Sequence, residues 1–94
     1  MTAAQKSAET LAIQCVAWMA GQDDMLDHFS NATGVGQTDI RERVQDPEFL
    51  ASVLDFMMME DAWVMDFCAA HNLPNEAVMQ ARQALPGGAQ INWT

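Results

Sequence analysis

The stretch Asp46-Pro47-Glu48-Phe49-Leu50-Ala51-Ser52-Val53-Leu54-Asp55-Phe56-Met57-Met58-Met59-Glu60-Asp61 decides how this chain folds. It opens on the clearest helix start in the sequence. Asp46 can cap free backbone N–H groups, Pro47 suits the first helical position because the N–H it lacks would find no helical partner there, and Glu48 faces the positive end of the helix dipole. Behind that start, Leu50, Val53, Leu54, Met57 and Met58 recur at spacings of three and four, which places them on one buried stripe. No Gly or Pro occurs between residues 48 and 73, so one long helix over 47–71 is conceivable. Continued at 3.6 residues per turn, however, the stripe would carry Asp61 into its middle, and a lone buried carboxylate is costly. The sequence therefore predicts a break between Met59 and Asp61, with Glu60-Asp61 opening a second helix that buries Val64, Phe67 and Cys68.

Upstream, residues 3–20 contain no Gly or Pro, and Ala8, Leu11, Ala12, Cys15, Trp18 and Met19 fall on one helical face. Gly21 stops that helix. Gln22, Asp23 and Asp24 can supply the cap and first-turn charge of the next, which carries Met25, Leu26 and Phe29 and closes at Gly34. Thr38 is placed to cap a short helix holding Ile40 and Val44, with Asp39 in its first turn. Downstream, Asn72-Leu73-Pro74 reads as a turn. Pro74 with Glu76 then starts a last helix bearing Ala77, Val78, Ala81 and Leu85, and Pro86-Gly87-Gly88 ends it. The expected fold is all-α, a compact bundle of five or six short helices. Residues 1–88 form its single domain, and 89–94 form a loose tail whose Ile91 and Trp93 can dock on the core or on a partner.

Composition bounds the function. With 94 residues, half of them hydrophobic, the chain supplies one core and not two. Thirteen Asp and Glu against four Lys and Arg give a net charge of −9, which repels phosphate backbones and anionic lipid and favours a partner with a basic surface. Cys15 and Cys68 are too few for a disulfide framework and sit among apolar residues, as two buried thiols of a reducing compartment would. The apolar run 11–20 is too short to span a bilayer and is interrupted by Gln14, so neither a membrane segment nor a signal peptide is expected and the cytoplasm is the expected location.

The order of pieces resembles a family of short, all-helical bacterial proteins catalogued only as a domain of unknown function. The features that carry the resemblance are the Ala-rich first helix, Thr33-Gly34, the run from Asp46 to Phe56, the acidic pair Glu60-Asp61, and Ala84-Leu85-Pro86-Gly87-Gly88. Together they cover most of the chain. Most of the Asp46 to Phe56 run is cap chemistry and core stripe, so the resemblance implies a fold and carries over no catalytic residue.

Five local features bear on chemistry or binding. Gly34-Val35-Gly36, followed by a helix carrying Arg41 and Arg43, is similar to a helix-hairpin-helix turn that offers backbone N–H groups to a phosphate; the competing reading makes Gly34 a helix C-cap and Gly36 a loop residue. Asp24 with His28, and Cys68 with His71, stand at helical spacing as two half metal sites, but zinc needs three or four converging ligands, so no metal and no cofactor is expected. Either cysteine could serve a small enzyme only as an exposed thiolate, whereas both lie on apolar stripes. Consecutive Met57, Met58 and Met59 point in three directions around a helix and cannot all face one core. Phe49, Phe56 and Trp63 are spaced by seven, which would put them on one stripe if the helix ran through unbroken, and with the aliphatic stripe would make most of its circumference apolar. The candidate interaction surface is therefore Phe49, Phe56, Met58, Met59 and Trp63. The expected function is a non-catalytic protein–protein interaction module or homodimer, against a nucleic-acid binder working through Gly34, Gly36, Arg41 and Arg43, and against a small enzyme or metal-binding protein.

Overall fold

The computed structural model describes residues 3–22 and 24–85, without the side chain of Gln37. Six helices follow one another: α1 (Ala3–Ala20), α2 (Met25–Thr33), α3 (Gln37–Arg43), α4 (Pro47–Met57), α5 (Asp61–Ala70) and α6 (Ala77–Ala84). There is no strand among the described residues. The expected Pro86-Gly87-Gly88 stop, the tail 89–94 and any part of Asp23 in capping lie outside the described residues.

The central element is α4. Its start is built as the sequence predicts, with the Glu48 N–H donating to Asp46 Oδ1 at 3.0 Å and Pro47 in the first turn. Seven of its eleven residues are buried: Phe49, Leu50, Ala51, Val53, Leu54, Phe56 and Met57. Such a helix needs neighbours on most of its circumference. α1 and α6 pack against it and against each other, α5 packs on it from the C-terminal side, and Phe29 of α2 meets it through the rings of Phe49 and Phe56. Because Asp46 caps with a single bond at an exposed position, Asp46→Ala is expected to cost about 1 kcal/mol in urea denaturation. No loss at all would mean that another group already satisfies that N–H.

The break after α4 falls where a buried carboxylate would otherwise arise. The Met59 N–H turns back to the Phe56 carbonyl at 3.1 Å, Glu60 is extended at φ −132°, and α5 restarts at Asp61 with both acids exposed. α5 in turn ends on Asn72, whose φ of 56° lets the Leu73 N–H reach the Cys68 carbonyl at 2.8 Å. α1 buries Ala8, Ala12, Cys15 and Met19 at spacings of four, three and four, and its small alanines let neighbouring helices come close. α6 is tied to α4 by the one buried charge of the described residues: Arg82 Nε donates to Asp55 Oδ1 at 2.6 Å. Asp55 is half exposed, so solvent screens that pair and the apolar contacts carry most of the attachment.

Three cap assignments differ from expectation. Thr38 does not cap α3; the helix begins at Gln37 with Gly36 in the N-cap position, which moves Thr38 into the first turn. Asp24 precedes α2 in the left-handed region, at φ 59°, not in the extended conformation from which a side chain caps a helix, and its side chain makes no cap hydrogen bond. Pro74 does not open α6 itself. Its carbonyl accepts from the Ala77 N–H at 3.0 Å in a preceding turn, and α6 starts at Ala77.

Candidate functional site

The three consecutive methionines are graded in exposure by the end of α4. Met57 still belongs to the helix and is fully buried, Met58 caps it and is half-buried, and Met59 lies in the turn with 68% of its surface open. Next to that turn Trp63 of α5 lies half-buried with its ring stacked on Phe56, centroids 4.9 Å apart and planes 24° from parallel. His28 of α2 is exposed and meets Trp63 edge-on at 5.8 Å and Phe56 at 6.0 Å. Phe56 thus serves as the floor of a small aromatic ledge whose outer members are His28 and Trp63. Glu60 and Asp61, both exposed, follow Met59 directly, so the ledge has carboxylates at its edge.

Two of the five residues expected on an interaction surface are core residues instead. Phe49 is 5% exposed and Phe56 only 2%, because α2 and α5 cover the face of α4 that the sequence left uncovered: Phe29 meets both rings at near-perpendicular planes, at 5.8 and 5.1 Å, and Trp63 stacks on Phe56. Met58, Met59 and Trp63 remain accessible to some degree. His28 joins them, a residue that the sequence offers either as half of a metal pair with Asp24 or as an ordinary helix-surface residue, and not as part of an interaction surface. Its place beside Trp63 is a contact between α2 and α5, and no local spacing reports it.

The other candidates are distributed over the fold. Gly34 takes φ 79° and its N–H donates to the Ser30 carbonyl at 2.8 Å, so it is the C-cap of α2, in a backbone conformation that a side chain would strain. Gly36 stands at the start of α3 with the Asp39 carboxylate close enough to lie 3.6 Å from a Cβ built there, so a negative group of the chain's own faces this turn. Arg41 and Arg43 are exposed, and two residues apart on a helix they point in different directions. Arg43 lines a polar recess of about 400 Å³ together with Asp39, Glu42 and Asp46.

His71 packs its ring on Phe67 at 4.5 Å, while its expected metal partner Cys68 is fully buried. Among the described residues no group of three or more His, Cys, Asp or Glu is placed to hold a metal ion. Cys15 and Cys68 are both free and buried. Burial pushes the Cys15 thiol up to about 12, with the Cys68 thiol adding to it. Burial likewise raises Cys68, helped by the charge of Glu76. Neither is a thiolate at neutral pH. The Ser30 hydroxyl is buried without a hydrogen-bond partner, and nothing in the structure accounts for it. No helix of the described residues is long and apolar enough to cross a membrane.

Fold and surface together define a small all-helical bundle that carries an aromatic ledge beside acidic residues. The chain belongs to the family described as "Protein of unknown function (DUF3572)", whose model matches residues 5–88. No curated protein and no solved structure matches it.

Proposed function

We propose that the protein is a non-catalytic interaction module that receives a basic, amphipathic segment of a partner protein on the ledge of His28, Met58, Met59 and Trp63. The observation that carries this is Met59: a methionine 68% exposed, beside a half-buried tryptophan, is an apolar and adaptable contact left in water. The chemistry of the partner follows from charge. A chain of net charge −9, with Glu60 and Asp61 beside the ledge, attracts cations and opposes a second copy of itself. The same electrostatics weighs against a nucleic-acid role for the Gly34-Val35-Gly36 turn, which faces Asp39 and has Arg43 among three acids. The two buried thiols, protonated at neutral pH, weigh against a cysteine nucleophile and suit a reducing cytoplasm.

Two amphipathic helical peptides, one of leucine and lysine and one of leucine and glutamate, test this directly by tryptophan emission at low and physiological salt. The lysine peptide is expected to bind, with an affinity that falls as salt rises and falls at least tenfold in Met59→Ser; the glutamate peptide is not. Met79→Ser, at a half-exposed methionine of α6, is the matched control. Equal binding of both peptides, or binding indifferent to Met59→Ser, would overturn the assignment. So would a mass by light scattering that stays at twice the monomer on dilution and halves in Met59→Ser, since the ledge would then be a dimer interface.

A further inference from the structure

Helices other than those of the ledge form a second apolar feature. Between α1 and α6 runs a groove of about 290 Å³, lined chiefly by Ala4, Ala8 and Leu11 on one side and Ala77, Ala81 and Ala84 on the other. Alanines pack α1 closely onto α6 but leave nothing tall enough to close the seam between them. A stripe of small residues has no meaning by itself. What gives this one meaning is where the chain goes next. Ala84, the last residue of α6, lines the groove, and Leu85 leaves the helix extended, at φ −97° and ψ 160°. The sequence then continues Pro86-Gly87-Gly88-Ala89-Gln90-Ile91-Asn92-Trp93-Thr94.

We propose that this C-terminal segment folds back along α6 and seats Ile91 and Trp93 in the groove between α1 and α6. Proline cannot prolong the helix, and the two glycines after it permit the reversal. Ile91 and Trp93 alternate with Asn92, so in an extended strand both point to the same side while the amide faces water. The reach is sufficient. From Gly88 to Trp93 an extended chain spans up to roughly 17 Å, whereas α6 from Ala77 to Ala84 is about 10 Å long. Charge separates this occupant from the alternatives. Residues 86–94 carry no charged side chain, in a chain whose net charge is −9, so the segment meets no repulsion that a second copy would meet. Tethering also makes the segment's effective concentration millimolar, which populates a contact too weak to hold between separate molecules.

Trp93 reports the outcome. Trp93→Phe removes the tail indole and leaves the sequence of every described helix unchanged, so the difference between native and variant emission isolates Trp93. Its emission is expected at shorter wavelength, and its acrylamide quenching several-fold weaker, than in a free peptide of residues 89–94. Ala4→Glu, at an exposed position on the groove wall, is expected to restore quenching to the level of the free peptide. A chain ending at Gly88 is expected to lose thermal stability, and Ala4→Glu to cost less stability in that shortened chain than in the full one. Trp93 as quenchable as the free peptide, or protected equally with and without Ala4→Glu, would overturn the proposal. Protection that appears only as the mass doubles would overturn it too, because the occupant would then be the tail of another copy.

Discussion

Phe29→Ala is expected to lower the free energy of unfolding by about 3–5 kcal/mol, the usual cost of a buried phenylalanine lost with its cavity left behind. Phe29 has no exposed surface and sets its ring edge-on to both Phe49 and Phe56, at 85° and 84°. The deletion therefore removes burial and two favourable ring geometries at once. A domain of this length has roughly 5–14 kcal/mol in total, so the variant keeps little margin at best. The damage is also localised. α2 is nine residues long, too short to persist as a helix without its seat on α4, and its amides should exchange first. Ile13→Ala, at a position 44% exposed on α1, is the comparison and should stay within about 0.5 kcal/mol of the native protein. Equal urea midpoints for the two variants would mean that α2 is not seated on α4 as described.

Alkali should unfold the protein through its two thiols. In the unfolded chain a cysteine ionises near 9.0; in the fold Cys15 does so only near 12, and Cys68 is shifted in the same direction. A folded value raised above the unfolded one means that the native state holds its proton more tightly. The resulting stability is complete below pH 9 and is lost as the pH climbs from 9 towards 12. In that window Cys15 contributes a slope of up to about 1.4 kcal/mol per pH unit, and Cys68, raised in the same direction, adds to it. The composition keeps the experiment simple, because the chain has no tyrosine and Lys6 is its single lysine. Urea midpoints between pH 8 and 11.5 should fall in the native protein and fall less steeply in Cys15→Ala. Parallel slopes in the two proteins would show that the Cys15 thiol ionises in the fold as it does in water.

The fold was legible where a local rule has a local answer. Asp46-Pro47-Glu48 reads as a helix start because capping acts within three residues, and the bond to Asp46 is there. The break before Asp61 was legible because the cost of burying a carboxylate does not depend on which helix does the burying. The surface was harder. Phe49 and Phe56 look spare on α4 alone, since a helix apolar around most of its girth suits either the middle of a fold or an interface. Only the arrival of α2, and of Trp63 on Phe56, decides between these, and nothing in the separate segments states that they meet. His28 was missed for the same reason. The caps at Thr38 and Asp24 failed differently: Gly36 and the left-handed Asp24 backbone are set by how tightly the turns before α3 and α2 close, which residue preference does not determine.

The pairing of α1 with α6 joins the first helix of the bundle to the last, and that order has a consequence for synthesis. The buried faces of α1 and α4 rely in part on α6, which is made after both. Between Ala20 and Ala77 a ribosome needs roughly 3–11 s at typical elongation rates. Throughout that interval the Ala8, Ala12, Cys15 and Met19 stripe lacks its final cover and is available to chaperones or to neighbouring nascent chains. Completion of the bundle thus waits for the synthesis of α6, and a ribosome halted before residue 77 leaves the earlier helices made and the one that closes over them missing.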